Sequence, residues 1–72
     1  MIRFDAAALF AALDVARRER GLSWSQLAQE TGVSATTIKR AKAGGRMEVD
    51  GVLALTHWLE RPVEDFTRRS TF

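Results

Sequence analysis

Apolar positions recur at helical spacing along almost the whole chain, and capping residues and glycines punctuate them. From Asp5, a good N-cap, the alanine-rich run Ala6–Ala16 predicts a first helix. Leu9, Leu13 and Ala16 mark its inner face, with Phe10 on the flank. Arg17, Arg18 and Arg20 crowd its last turn, where cations complement the helix dipole, and Gly21 ends it. Ser23 opens a second helix, with Gln26 at the capping-box position and Gly32 as the stop. Leu27 and Ala28 are its inward residues. Ser34 caps a third helix, Ser34–Ala43, in which Ile38 and Ala41 form the buried stripe and Gly44-Gly45 the exit. A fourth runs from Glu48 to Leu59, with Val52, Leu55 and Leu59 at i, i+3 and i+7, and Leu53 and Trp58 broadening the stripe. Gly51 inside it suggests a close approach by another helix. Pro62 suits the start of a short fifth helix that turns Val63 and Phe66 inward.

No alternating run is long enough to predict a strand. Ile2–Phe4 reads as an extended, apolar start lying against the bundle. The expected fold is therefore all-α, a bundle of five short helices. Residues 1–66 read as one domain, and 67–72 as a loosely ordered tail carrying Arg68 and Arg69.

Length limits the core that such a chain can build. A 72-residue domain buries only about 60% of its unfolded surface, so stability should be modest. The absence of cysteine removes disulfides and Cys-type zinc sites as staples and fits a cytoplasmic location. No apolar run approaches the roughly 20 residues needed to cross a bilayer, so a membrane role is not expected.

Net charge is only +2, but its distribution is uneven. Between Ala35 and Arg46 stand Lys39, Arg40, Lys42 and Arg46, with no carboxylate. From Met47 to Phe66 the balance inverts, with Glu48, Asp50, Glu60, Glu64 and Asp65 against Arg61. One basic pole favours a polyanion there and leaves the other face free.

That basic pole coincides with the second and third helices, whose tight turn is the helix-turn-helix signature. Ala35, Thr36, Lys39 and Arg40 lie on the face of the third helix away from Ile38 and Ala41. Small, hydroxylic and cationic side chains suit entry into a DNA major groove. Arg40 is the first choice for reading a base, because its fork pairs with guanine O6 and N7. Thr36 suits a thymine methyl or a phosphate, and Ala35 a thymine methyl. Lys39, Lys42 and Arg46 add attraction for phosphates. Without the turn, such cations would more simply be read as a solvated helix face.

LSWSQLAQETGVSATTIKRAKAG resembles the helix-turn-helix core of the Cro/phage-repressor (XRE-type) DNA-binding domains, and VLALTHWLERPVEDF is similar to their later helices. Ala28, Gly32, Val33 and Ile38 fall on that family's small-residue, turn and core positions. The resemblance implies a compact, five-helix, lambda-repressor-like bundle from a bacterial or phage source, with Ser34–Ala43 as recognition helix. It implies base-facing positions at Ala35, Thr36, Lys39 and Arg40. Thr37 and Ala43 match positions near the DNA backbone or groove edge. At the start of the second helix, Ser23 and Trp24 fall where the family contacts phosphate, although the indole could equally be packing. A family Glu is replaced by Lys42, so its usual partner, here Arg17, must be neutralised by Asp14 or Glu19, and Lys42 could turn to DNA.

Enzyme chemistry is not expected. His57 is the lone histidine, carboxylates sit at helix starts, and Gly44-Gly45 lacks the Lys-Ser/Thr of a P-loop. No cofactor or metal is called for. The expectation is a transcriptional regulator that binds double-stranded DNA through its major groove. A homodimer would place two recognition helices about 34 Å apart, with Phe66 and Phe72 as candidate contacts. The alternative is a protein-interaction module of the same fold, an antitoxin or adaptor, using the two Trp residues and the acidic second half.

Overall fold

The computed structural model describes residues 1–69. A short strand β1 (Ile2–Phe4) precedes four helices: α1 (Ala6–Glu19), α2 (Trp24–Thr31), α3 (Ala35–Lys42) and α4 (Val49–Leu59). A single 3-10 turn, Val63–Phe66, then leads into strand β2 (Thr67–Arg69). The first three helices start at side-chain caps, whereas Glu48 gives α4 none. Asp5 accepts the Ala8 N–H at 3.0 Å, and Ser34 accepts that of Thr37 at 3.1 Å.

The all-α class holds, but the fifth helix is only that 3-10 turn. Four residues between Pro62 and Thr67 leave no room for propagation after a costly nucleus, so the tighter turn suffices. The chain also contains strands that its pattern did not announce. β1 pairs antiparallel with β2, with Ile2 opposite Arg69, Arg3 opposite Arg68 and Phe4 opposite Thr67. The Asp5 N–H continues the ladder to the Phe66 carbonyl at 2.6 Å. Thr67–Arg69 thus form a paired strand rather than the expected loose tail.

Helix α1 is the central element, packing against α3, α4 and the 3-10 turn. Leu9, Leu13, Leu27, Val33, Ile38, Leu55 and Phe66 form the core, drawn from every helix and both turns. Phe66 is only 2% exposed, so it closes the core and offers nothing to a dimer contact. Phe72 lies outside the described residues. Leu53 also departs from expectation, since it faces out at 54% exposure. The inner stripe of α4 is Val52, Leu55 and the buried Thr56, whose hydroxyl donates to the Val52 carbonyl at 2.9 Å.

No helix packs closely on Gly51. A Cβ there would meet only the Met47 methyl, at 4.0 Å, an ordinary contact. Gly51→Ala should therefore stabilise the domain by up to about 1 kcal/mol through helix propensity alone. In a domain of this size the melting midpoint should rise by roughly 4–8 °C per kcal/mol, which calorimetry would register.

Candidate nucleic-acid interface

Helix α2 begins with a complete capping box. Ser23 Oγ accepts the Gln26 N–H at 3.1 Å, and Gln26 Oε1 accepts the Ser23 N–H at 2.8 Å. At its other end Gly32 adopts φ +75°, a left-handed conformation that side chains resist, and donates to the Ala28 carbonyl at 2.9 Å. Thr31 locks this turn. Its hydroxyl donates to the Leu27 carbonyl at 3.0 Å and accepts the Val33 N–H at 3.2 Å. The sequence signal for that latch is a threonine in a last helical turn, where the hydroxyl reaches the carbonyl four residues back.

Helix α3 is held from below and open above. Ile38 and Ala41 are fully buried, while Thr36, Lys39, Arg40 and Lys42 are exposed and Ala35 half-buried. Of the four residues expected to face bases, Thr36, Lys39 and Arg40 are thus on the outer side, and Ala35 sits at its edge, three residues before Ile38. Thr37 is half-buried, and its Oγ accepts the Ser34 hydroxyl at 2.8 Å, so its own proton is left to donate outward. Gly45 folds back on the end of α3, its N–H donating to the Arg40 carbonyl at 3.2 Å. A Cβ at Gly45 would lie 3.1 Å from that oxygen, a tight contact that any larger residue would have to relieve by a small shift. This return sets Arg46 beside α3, and Arg40 and Arg46 border one groove with Ser34 and Thr37, whose lining also includes Glu48 and Asp50 at the start of α4.

None of Lys39, Arg40, Lys42 and Arg46 has a carboxylate partner among the described residues, whose ion pairs belong to Arg17, Arg18 and Arg61. Four unpaired cations around one helix end make a surface ready to neutralise phosphates.

Arg17 joins α1 to the start of α2. One guanidinium nitrogen donates to the Leu22 carbonyl at 2.9 Å and the other to Asp14 at 2.8 Å. Its head lies 4.5 Å from the Trp24 ring centre, and Trp24 stacks on Phe10 at 4.9 Å. Of the two roles open to Trp24, packing is therefore the one its ring occupies. Of the two acids open to Arg17, Asp14 is the partner, and its second oxygen also takes Arg18 at 3.0 Å. Trp58, at the end of α4, is likewise engaged. It donates to Glu30 at 3.0 Å and lies under the Arg20 head at 4.1 Å.

The hydrogen bond from Arg17 holds the Asp14 carboxyl below its ordinary range, with the Arg18 charge adding to it against some desolvation. A folded-state pKa below the unfolded one contributes stability above about pH 4, which is lost as pH falls through the folded value. Asp14→Asn should thus lower the urea midpoint at pH 7. The difference from the parent protein should shrink as pH drops through the carboxylate range.

Residues 13–50 match the family model described as helix-turn-helix, which covers α2, α3 and the turn between them within more than half of the chain. The chain belongs to the XRE-type helix-turn-helix family. No curated protein matches the sequence. A helix-turn-helix domain of this type is a DNA-binding module, and here the match spans all four unpaired cations around α3. Among the described residues, no helix is long and apolar enough to cross a membrane, and no cluster of His, Asp or Glu could hold a metal.

Proposed function

We propose that this chain regulates transcription by binding double-stranded DNA sequence-specifically, with the capped helix Ser34–Ala43 in the major groove. One observation carries the reading: α3 buries Ile38 and Ala41 completely and presents Thr36, Lys39 and Arg40 on the opposite side, unpaired. Arg40 reads a guanine, Thr36 and Ala35 contact thymine methyls, and Lys39 sits between base edge and phosphate. Ser23, Thr37, Lys42, Ala43 and Arg46 face the backbone and fix the register without reading sequence, whereas Trp24, held between Arg17 and Phe10, supports the start of α2 from within. The engagement of both indoles within the domain supports this over an interaction module built on Trp24 and Trp58.

A module this small reads few base pairs, so it acts as a homodimer on half-sites about 34 Å apart. Its compartment is the cytoplasm of a bacterium or of a phage host, where duplex DNA is accessible. The test is fluorescence anisotropy on a random duplex pool across a salt series. Binding whose logarithm falls linearly with log salt is expected. No binding at low salt overturns the reading in favour of the antitoxin or adaptor alternative. Sedimentation with and without DNA checks the dimer, and a monomer in both overturns it.

A further inference from the structure

The strand pairing brings together two arginines from opposite ends of the described chain. Arg3 and Arg68 are directly opposed in the β1–β2 ribbon. Neighbouring residues on a strand point to opposite faces, and Phe4 lies against the core, so Arg3 and Arg68 share the outer face. Both are exposed. Their Cβ atoms stand about 4.5–5.5 Å apart, as cross-strand partners do.

Such a placement is unfavourable in isolation. Like charges directly opposite destabilise a strand pair, and a two-stranded ribbon has little stability to lose. No carboxylate relieves the pair among the described residues, where the ion pairs involve Arg17, Arg18 and Arg61. A single charge would protect a short edge from unwanted pairing. Two opposed guanidiniums on the outer face instead form a site for anions. Each fork can take two oxygens of a phosphate group, and bound phosphates turn the repulsion into a gain.

We propose that Arg3 and Arg68 grip two neighbouring phosphates of the DNA backbone outside the footprint of α3. This rests on the DNA-binding reading above, which supplies the polyanion. The ribbon then serves as a second anchor that reads no sequence but raises affinity and its dependence on salt.

The experiment compares the intact protein with Arg3→Gln/Arg68→Gln and the charge-retaining Arg3→Lys/Arg68→Lys on random duplex DNA across a salt series. The Gln pair should lower the slope of log affinity against log salt by about two units, whereas the Lys pair should keep it. Without DNA, the Gln pair should melt no earlier than the parent, because a like-charge pair has been removed. An unchanged slope with binding intact overturns the phosphate site and leaves the role of α3 standing. An equal fall in the Lys pair overturns it too, since charge was conserved. No binding by the intact protein at low salt overturns both this site and the parent reading.

Discussion

Alanine at both Lys39 and Arg40 should weaken duplex binding at least about tenfold and lower the salt slope by about one unit, the phosphate contact of Lys39, while leaving the fold intact. The two side chains contribute differently. A bidentate Arg–guanine contact is worth about 1–3 kcal/mol against the wrong base, whereas a lysine near phosphate acts through counterion release. Arg40→Ala alone should therefore relax selection at one base position. Lys39→Ala alone should weaken all sequences about equally. Stability should hold because both side chains are exposed and neither has an ion-pair partner to lose. Exposed substitutions of that kind stay within about 0.5 kcal/mol. Anisotropy on a selected operator and on random duplex separates the two effects, and circular dichroism checks the fold. Unchanged affinity and slope in the double variant would remove α3 from the interface.

The charges at Lys42 and Arg46 make this expectation specific to the chain. Where the family carries an acid facing the arginine of the first helix, Lys42 stands here, and Asp14 has taken over the arginine. Arg17 remains neutralised and bonded to the Leu22 carbonyl, so the junction between α1 and α2 keeps its anchor. The consequence is one more cation beside α3. Local ion pairing within α1 satisfies Arg17 without an acid at position 42, and Lys42 stays exposed with no carboxylate partner among the described residues.

How much of this was legible in the sequence follows from the range of each interaction. Ser23, Gln26, Gly32 and Ser34 act on backbone groups within three or four residues, so the helix-turn-helix could be read from them directly. The inner face of α3 followed from the spacing of Ile38 and Ala41. Asp14 as partner for Arg17 could be narrowed only to a choice with Glu19. The i, i+3 spacing of Asp14 places it on the same face, which Glu19, two residues away, does not share. The ribbon was not legible, because three-residue strands at opposite ends of a chain carry no periodicity of their own. Their pairing depends on Phe66 closing the core and delivering Thr67 to Phe4. Leu53 misleads for a related reason. Helix α4 is apolar on more than one side, so spacing alone does not say which stripe meets α1.

The largest stability effect should come from Ile38→Ala, a cavity placed directly beneath the reading surface. Ile38 is fully buried in the core it shares with Leu9, Leu13 and Leu27, and its removal takes from α3 its one large side chain in that core. Loss of a buried isoleucine to alanine costs about 2–5 kcal/mol. A domain of this length has roughly 4–10 kcal/mol in all. The variant should therefore melt far below the parent and populate unfolded chain at physiological temperature. Its exposed residues are all intact, so the folded fraction should still bind duplex. DNA at about 100 times Kd adds roughly 2.7 kcal/mol to the folded state, enough to offset much of the loss. Saturating duplex should then restore the melting transition of Ile38→Ala and do little for Lys39→Ala/Arg40→Ala. Measured side by side, the two variants separate the scaffold from the surface. If duplex fails to raise the midpoint of Ile38→Ala while it raises that of the parent, α3 needs Ile38 to hold its reading geometry as well as to fold.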